Sequence, residues 1–321
     1  MKKSIHLLFF VCLFSVFSCE KVTEPSTNTG WRAIYQAADS VTYNDIFFVD
    51  KNNGWIIGNH ATILYSVDGG INWEKQDGPG RSYIGLNSVC FSDKQHGWIV
   101  GDDFEMYYTT NGGSTWNYNL PVLPIFTWNF TSVFFANNQN GWITTSLGRV
   151  EFTTNGGILW DGGAVVADHD RLSDIYFVDN MTGWIIAENH KVFNTDNGGS
   201  TWFEQKVNNK SADSLSRFND IIFTDSMNGW IITGSSEIFH TSNGGTEWFF
   251  QSKVQDSNLN AVYFGDEKAG WIAGNNIYFT GDGGNSWKLQ YNNLNNEFIG
   301  MSFVNKTGWA LSAGGKVCKY E

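Results

Sequence analysis

The chain has 321 residues, a formal net charge of −12, 15 Trp and only 4 Pro. That acidity excludes binding to nucleic acid, or to an anionic lipid surface, through the net field. After the first eighteen residues, no stretch carries a 3.6-residue apolar period with capping residues long enough for a sizeable helix.

Residues 1–18 read as a signal peptide. Lys2 and Lys3 precede an apolar run from Ile5 to Phe17 that is too short to span a bilayer. The run ends in Val16-Phe17-Ser18-Cys19, which is similar to a bacterial lipobox with Cys19 as the lipidated first residue of the mature protein; ordinary cleavage beside an incidental Cys is the alternative. Residues 19–30 are polar and aperiodic, the composition of a flexible tether. A single lipidated terminus would attach the body to a membrane without crossing it. The expected location is therefore that of an exported bacterial lipoprotein, at the outer membrane or cell surface. Loss of Lys2 and Lys3 takes the charge from −12 to −14.

From residue 31 onward the sequence repeats. Seven Trp follow a Gly, at Trp55, Trp98, Trp142, Trp184, Trp230, Trp271 and Trp309, in steps of 43, 44, 42, 46, 41 and 38 residues. Six more close a turn of the form Asp/Asn-Gly-Gly-x-x-Trp, from Asp68-Gly69-Gly70 before Trp73 to Asp282-Gly283-Gly284 before Trp287. Each period holds four short β-branched and aromatic runs separated by Gly, Asn and Asp turns, the pattern of strands and hairpins. A period near forty with four strands predicts an all-β, seven-bladed β-propeller of four-stranded blades over residues 31–321. The seventh cycle ends at Glu321 without its turn and Trp, and Gly30-Trp31-Arg32 supplies the missing piece, so the N-terminal strand is expected to complete the last blade. In the turns, Gly provides positive φ and the Asp or Asn side chain accepts hydrogen bonds from the turn backbone.

The turn from Ser66 to Trp73 and its five copies resemble the Asp-box, or BNR repeat, of sialidases and related propellers. With the Gly-Trp half of each repeat added, residues 31–321 resemble the photosystem II stability/assembly factor-like propellers. The resemblance implies the propeller fold and a non-catalytic scaffold that holds a protein client through an arginine-rich patch. It does not align individual arginines of this chain to that patch.

Strand direction alternates within a blade, so the connections separate onto two faces. The first-to-second-strand turns and the Asp-box turns share one. The second-to-third-strand loops and the blade-to-blade connections share the other, which varies in length and composition and is the expected place for function. Arg81, Arg149, Arg171 and Arg217 fall on that variable face, whereas Lys51, Lys94, Lys268 and Lys306 fall in first-to-second-strand turns. Arginine suits bidentate contact with carboxylates. Trp128, the one Trp off the grid, lies in an apolar connection. It is either an aromatic anchor for a partner or a sugar ring, or part of a loop folded over a blade. Asp168-His169-Asp170 and Glu188-x-His190 match no known metal-ligand spacing, and no cofactor motif occurs, so neither metal nor cofactor is expected. Cys90 and Cys318 fall in different blades and are expected as buried thiols.

A carbohydrate-binding or sialidase-like glycoside hydrolase is the alternative function. Against it, no Arg is followed by an apolar-Pro pair, and no Tyr-Glu nucleophile pair or acid carboxylate can be assigned from sequence. A protein partner is the better expectation, and a glycan the second.

Overall fold

The computed structural model describes residues 30–38, 40–78, 81–119, 128–160, 163–167, 169–208, 217–255, 258–292 and 296–321. Seven sheets follow one another around a closed ring, with the first strand of each blade innermost and neighbouring the first strands on either side. These inner strands are Tyr43–Phe48, Leu86–Phe91, Phe130–Phe135, Leu172–Phe177, Phe218–Phe223, Leu259–Phe264 and Phe298–Val304. The last blade is completed by the N-terminal strand Arg32–Gln36, antiparallel to Lys316–Tyr320, so the ring closes by exchange of its two termini.

The repeated Phe, Gly and Trp form one unit at each seam between blades. The last Phe of an inner strand lies flat on the Gly that opens the second strand. A Cβ on Gly97 would sit 2.3 Å from the Phe91 ring, and on Gly54 2.5 Å from Phe48, so only Gly fits there. The Trp after that Gly stacks on the Phe of the next blade. Ring centroids are 3.5 Å apart for Trp55 on Phe91, 3.5 Å for Trp184 on Phe223 and 3.8 Å for Trp309 on Phe48, the seam that closes the ring. The Asp-box Trp of the second blade meets the same Phe edge-on, as Trp116 does Phe91 at 5.9 Å. Trp31 does so in the last blade, meeting Phe303 at 5.8 Å and 85°, which accounts for a Trp ahead of the first full repeat. Between the sixth and seventh blades Tyr263 takes the stacking place on Phe303, and Trp271 tilts away at 5.0 Å.

Polar contacts lock the seam. The indole N–H of Trp142, Trp184, Trp230 and Trp309 donates to the first Gly carbonyl of the next Asp-box, at 2.8–3.1 Å. Within each box the Ser or Thr hydroxyl accepts the second Gly amide, and the Asp or Asn carboxyl or amide oxygen accepts amides further along the turn, as Ser66 and Asp68 do. Both glycines of each box have positive φ, 78° and 89° at Gly69 and Gly70.

A second stitch runs around the inner strands. Every one has a register shift at its second residue. A bulge there turns consecutive side chains toward the next blade. Asn44 donates to the Leu86 carbonyl while Asp45 accepts the Val89 amide; Asn219 and Asp220 do the same to Leu259 and Val262. Ser132 donates to Asp174, whose carboxyl in turn bonds that of Asp220. Two such carboxyls in contact must share a proton.

Two blades depart from four strands. Among the described residues the third has three, and its outer edge is met by the bridge Arg149–Val165. Glu151 lies beside this edge. It occupies a third-strand position that holds Leu64, Tyr107, Phe193 and Phe239 in other blades, it is 1% exposed, and its carboxylate accepts the Gly163 amide and the Arg149 Nε–H. The fifth gains a strand, Lys206–Asn208, which leaves the fourth blade and pairs parallel with Glu247–Phe249. Cys90 and Cys318 are buried free thiols.

Trp309→Ala removes a fully buried indole from the closing seam. It is expected to cost about 3–5 kcal/mol in urea unfolding; a loss below about 1 kcal/mol would contradict the seam's role. The channel acids set a pH dependence. Burial pushes Asp45 up to about 7, and pushes Asp174 up as well; Asp220 is raised well above the usual range by burial and then by Asp174. Groups raised above their unfolded value near 4 stabilise in acid and lose that contribution as pH climbs through the folded value. In the turns the sign is opposite. Against the upward push of partial burial, the Gln95 and His96 amides and the His96 ring hold Asp93 down to about 2, so its contribution fades only as pH falls through that range. Melting temperature is therefore expected to be higher at about pH 5 than at about pH 8. Asp174→Asn, whose amide can replace the shared proton, should flatten that slope; a higher value at pH 8 in the parent would refute the assignment.

Candidate functional site

Hydrogen bonds show which connections share an end of the ring. Asp-box glycines bond the first-to-second-strand turns, as Gly69 N–H to Asn52 and Gly112 N–H to Gln95. Second-to-third-strand loops bond the blade-to-blade connections, as Asn59 N–H to Thr42, Asp102 N–H to Gly85 and Glu188 N–H to Arg171. The four arginines lie at this second end. Backbone strain gathers there too: His60, Ala61, Asp103, Phe104, His190 and Ser236 have φ between 51° and 65°, whereas the Asp-box turns use glycine.

Each of the four arginines is paired. Arg81 sits 3.1 Å from Glu105, a carboxylate 1% exposed, which also accepts the Tyr107 hydroxyl. Arg149 bonds Glu151 and the Gly163 carbonyl, and its guanidinium lies 5.4 Å over the Trp128 ring. Arg171 and Arg217 converge, at 3.5 and 3.1 Å, on one carboxylate, Glu188. Burial holds Glu105 and Glu151 above the usual carboxylate range despite these partners. Four guanidinium groups thus face three carboxylates. The patch is a set of positioned forks, not a bare basic field. Exposure separates their roles: Arg81, Arg171 and Arg217 are 51%, 42% and 65% open, Arg149 only 21%.

Trp128 offers no open face. It is 7% exposed, met edge-on by Phe104 at 5.9 Å and covered by Arg149. Of the two readings of Trp128, an aromatic anchor or a loop residue folded over a blade, its burial fits the second. The preceding residues 120–127 lie outside the described residues, as do Cys19 and the leader.

The acids considered as metal ligands are committed to cations and amides. Asp170 bonds Lys191 and Asn189, and Glu188 holds its two arginines. Asp168 lies outside the described residues, and among those described no group of three His, Cys, Asp or Glu is placed to hold a metal.

Sequence reasoning missed the glutamates that position the arginines. Glu151 was visible as the one carboxylate in a column of apolar third-strand residues. Glu105 and Glu188 carried no such signal, because loop acids are abundant and their pairing is spatial.

A model of the family described as photosynthesis system II assembly factor YCF48 matches residues 23–86, 83–165 and 163–255. A 72-residue stretch is 35% identical to the photosystem II assembly lipoprotein Ycf48 of Prochlorococcus marinus (strain MIT 9312), covering 22% of this chain and 21% of that protein. A 75-residue stretch is 37% identical to the photosystem II assembly lipoprotein Ycf48 of Synechocystis sp. (strain ATCC 27184 / PCC 6803 / Kazusa), covering 23% and 21%. The match thus spans about a fifth of the length of these relatives. Two solved structures share the fold over 91% of this chain, each with TM-score 0.76. One is YCF48 bound to D1 peptide, 22% identical and covered over 96% of its length. The other is YCF48 from Cyanidioschyzon merolae, 20% identical and covered over 99%. With its repeats, its ring closure and the family model in agreement, the chain belongs to the photosynthesis system II assembly factor YCF48 family.

Proposed function

We propose that this protein is a non-catalytic, lipid-anchored scaffold of the cell envelope that holds an extended segment of a client protein on its loop-bearing face. Three observations support the reading. The family is one of assembly factors, with members named as lipoproteins. A relative of the same fold is described as bound to a peptide. Cys19 follows a lipobox-like sequence.

The observation that carries the binding site is the convergence of Arg171 and Arg217 on Glu188. A half-buried carboxylate fixes two guanidinium groups from adjacent blade connections, and their outer N–H donors stay open to a partner's carboxylate or backbone carbonyls. Because the forks are held before the partner arrives, less side-chain entropy is lost on binding. Arg81 on Glu105 adds a third such fork. Arg149, locked against Glu151 and Trp128, serves the blade more than the partner. The carbohydrate alternative leans on Trp128 as a platform and on loop acids such as Asp170 and Glu188; a buried ring supplies no platform, and those two acids are paired with cations.

Co-purification from the native envelope with the Arg171→Ala, Arg217→Ala double variant tests this. Each charged hydrogen bond contributes roughly 1.5–3 kcal/mol, so client recovery is expected to fall at least about tenfold while melting temperature stays unchanged. Arg149→Ala should show the reverse, a lower melting temperature with capture retained by the folded fraction. Undiminished recovery in the double variant would remove the arginine site.

A further inference from the structure

We infer that the Asp-box end of the ring is a membrane-docking face, which rests on a zwitterionic phospholipid surface and turns the loop-bearing end toward the client. The inference rests on the proposed lipidation of Cys19 for its tether, and on the geometry of the ring for its orientation.

The tether emerges at a defined end. Strand Arg32–Gln36 pairs with Lys316–Tyr320 so that Arg32 lies opposite Lys319 and Gln36 opposite Lys316. Arg32 also bonds Glu321, while the Gln36 amide donates to the Gly314 carbonyl in a second-to-third-strand loop. The Trp309 indole, next to Lys319 in register, donates to Gly69 of the first Asp-box. The chain therefore enters the last blade from the Asp-box end. Twelve residues, 19–30, separate the lipidation site from that point. Fully extended they reach about 40 Å, but a flexible chain of that length has an end-to-end distance nearer 20 Å. A six-residue inner strand is itself about 20 Å long. Presenting the loop-bearing end to the bilayer would need the tether stretched up the rim, whereas the Asp-box end meets it relaxed.

That end carries unusual side chains. Val67, Ile71, Ile158, Leu159, Met181 and Met227 project from its turns, between 49% and 75% exposed. At the corresponding Asp-box positions other repeats have hydroxyl or amide residues, such as Ser114-Thr115, Ser200-Thr201 and Asn285-Ser286. The six tips belong to blades one, three, four and five. A closed ring brings such turns to one level, which suits a flat surface. Lys51, Lys268 and Lys306 are exposed among them, with stems long enough to reach phosphate groups. Turn aspartates at the same end, Asp68, Asp225 and Asp282 among them, argue against a strongly anionic bilayer.

Two of the tips report on themselves. Met181 and Met227 are exposed and oxidisable, and Tyr83, 71% exposed, lies at the opposite end. The mature chain can be coupled through Cys19 to a maleimide-bearing lipid, since Cys90 and Cys318 are buried. Anchored on phosphatidylcholine vesicles and exposed to a hydroxyl-radical pulse, it should show at least fivefold slower oxidation of Met181 and Met227 than the same chain without lipid. Tyr83 labelling should be equal in both. An Ile158→Asp, Leu159→Asp variant, altered only at exposed positions, should restore methionine labelling without loss of melting temperature. Unchanged methionine rates, or shielding of Tyr83, would overturn the proposal. So would methionine protection that appears without vesicles and grows with protein concentration, which would assign the face to a second copy. Because attachment is chemical, these outcomes are independent of lipidation in the cell. That separate reading is checked by mass spectrometry of residue 19 in the native protein.

Discussion

One phenylalanine per blade, pressed between a glycine of its own sheet and an aromatic of the preceding one (a tryptophan everywhere but between the sixth and seventh blades, where Tyr263 stacks), is the contact on which the ring depends. Strands within a blade are joined by backbone hydrogen bonds, but no ladder joins the inner part of one blade to the next. Something else must fix the angle and spacing of seven wedges. The stacked indole does so with a large flat area, and at Trp98, Trp142, Trp184, Trp230 and Trp309 its N–H donation to a turn carbonyl sets its orientation. The edge-on Asp-box Trp closes the third side. Because the same unit closes the ring at Trp309 and Phe48, a chain with its termini in different strands of one blade behaves as a continuous circle.

Around the channel the inner-strand bulges add polar stitching, and this has a cost. Asp45, Asp174 and Asp220 are only partly exposed, and desolvation disfavours their charged forms. The amides they accept, and the proton shared by Asp174 and Asp220, offset that penalty. The loop-bearing end uses charge differently. There, buried or half-buried glutamates orient arginines, so these guanidinium groups are held by the body of the ring as well as by their own loops. One end of the ring is thus repetitive and glycine-rich, the other particular to each blade.

The sequence disclosed the periodic part of this design. Gly-Trp, the Asp-box and the stray Gly30-Trp31 were enough for seven blades and their closure, since each feature recurs about every forty residues and a period needs no partner to be seen. Gly before Trp was read as a marker, and its reason, the Phe ring lying on it, required the structure. The Asn44-Asp45 type of stitch looks like ordinary polar alternation in a strand; its partners sit in the next blade and it is complete in only some repeats. The arginines were found by face, but their pairing was not, because Glu105, Glu151 and Glu188 each occur once. The third blade also carries one departure that a single letter shows: a carboxylate at position 151, in a column otherwise apolar, accepts the Gly163 amide.

Native-state hydrogen exchange on the unliganded protein tests the seams most directly. If they hold the ring, the amides of Val89 and Val262, which reach across a seam to Asp45 and Asp220, should exchange only through global unfolding and be as protected as any second-strand amide. Exchange of those two amides at the rate of the second-to-third-strand loops would contradict the account, since it would mean that blades separate while each sheet stays intact.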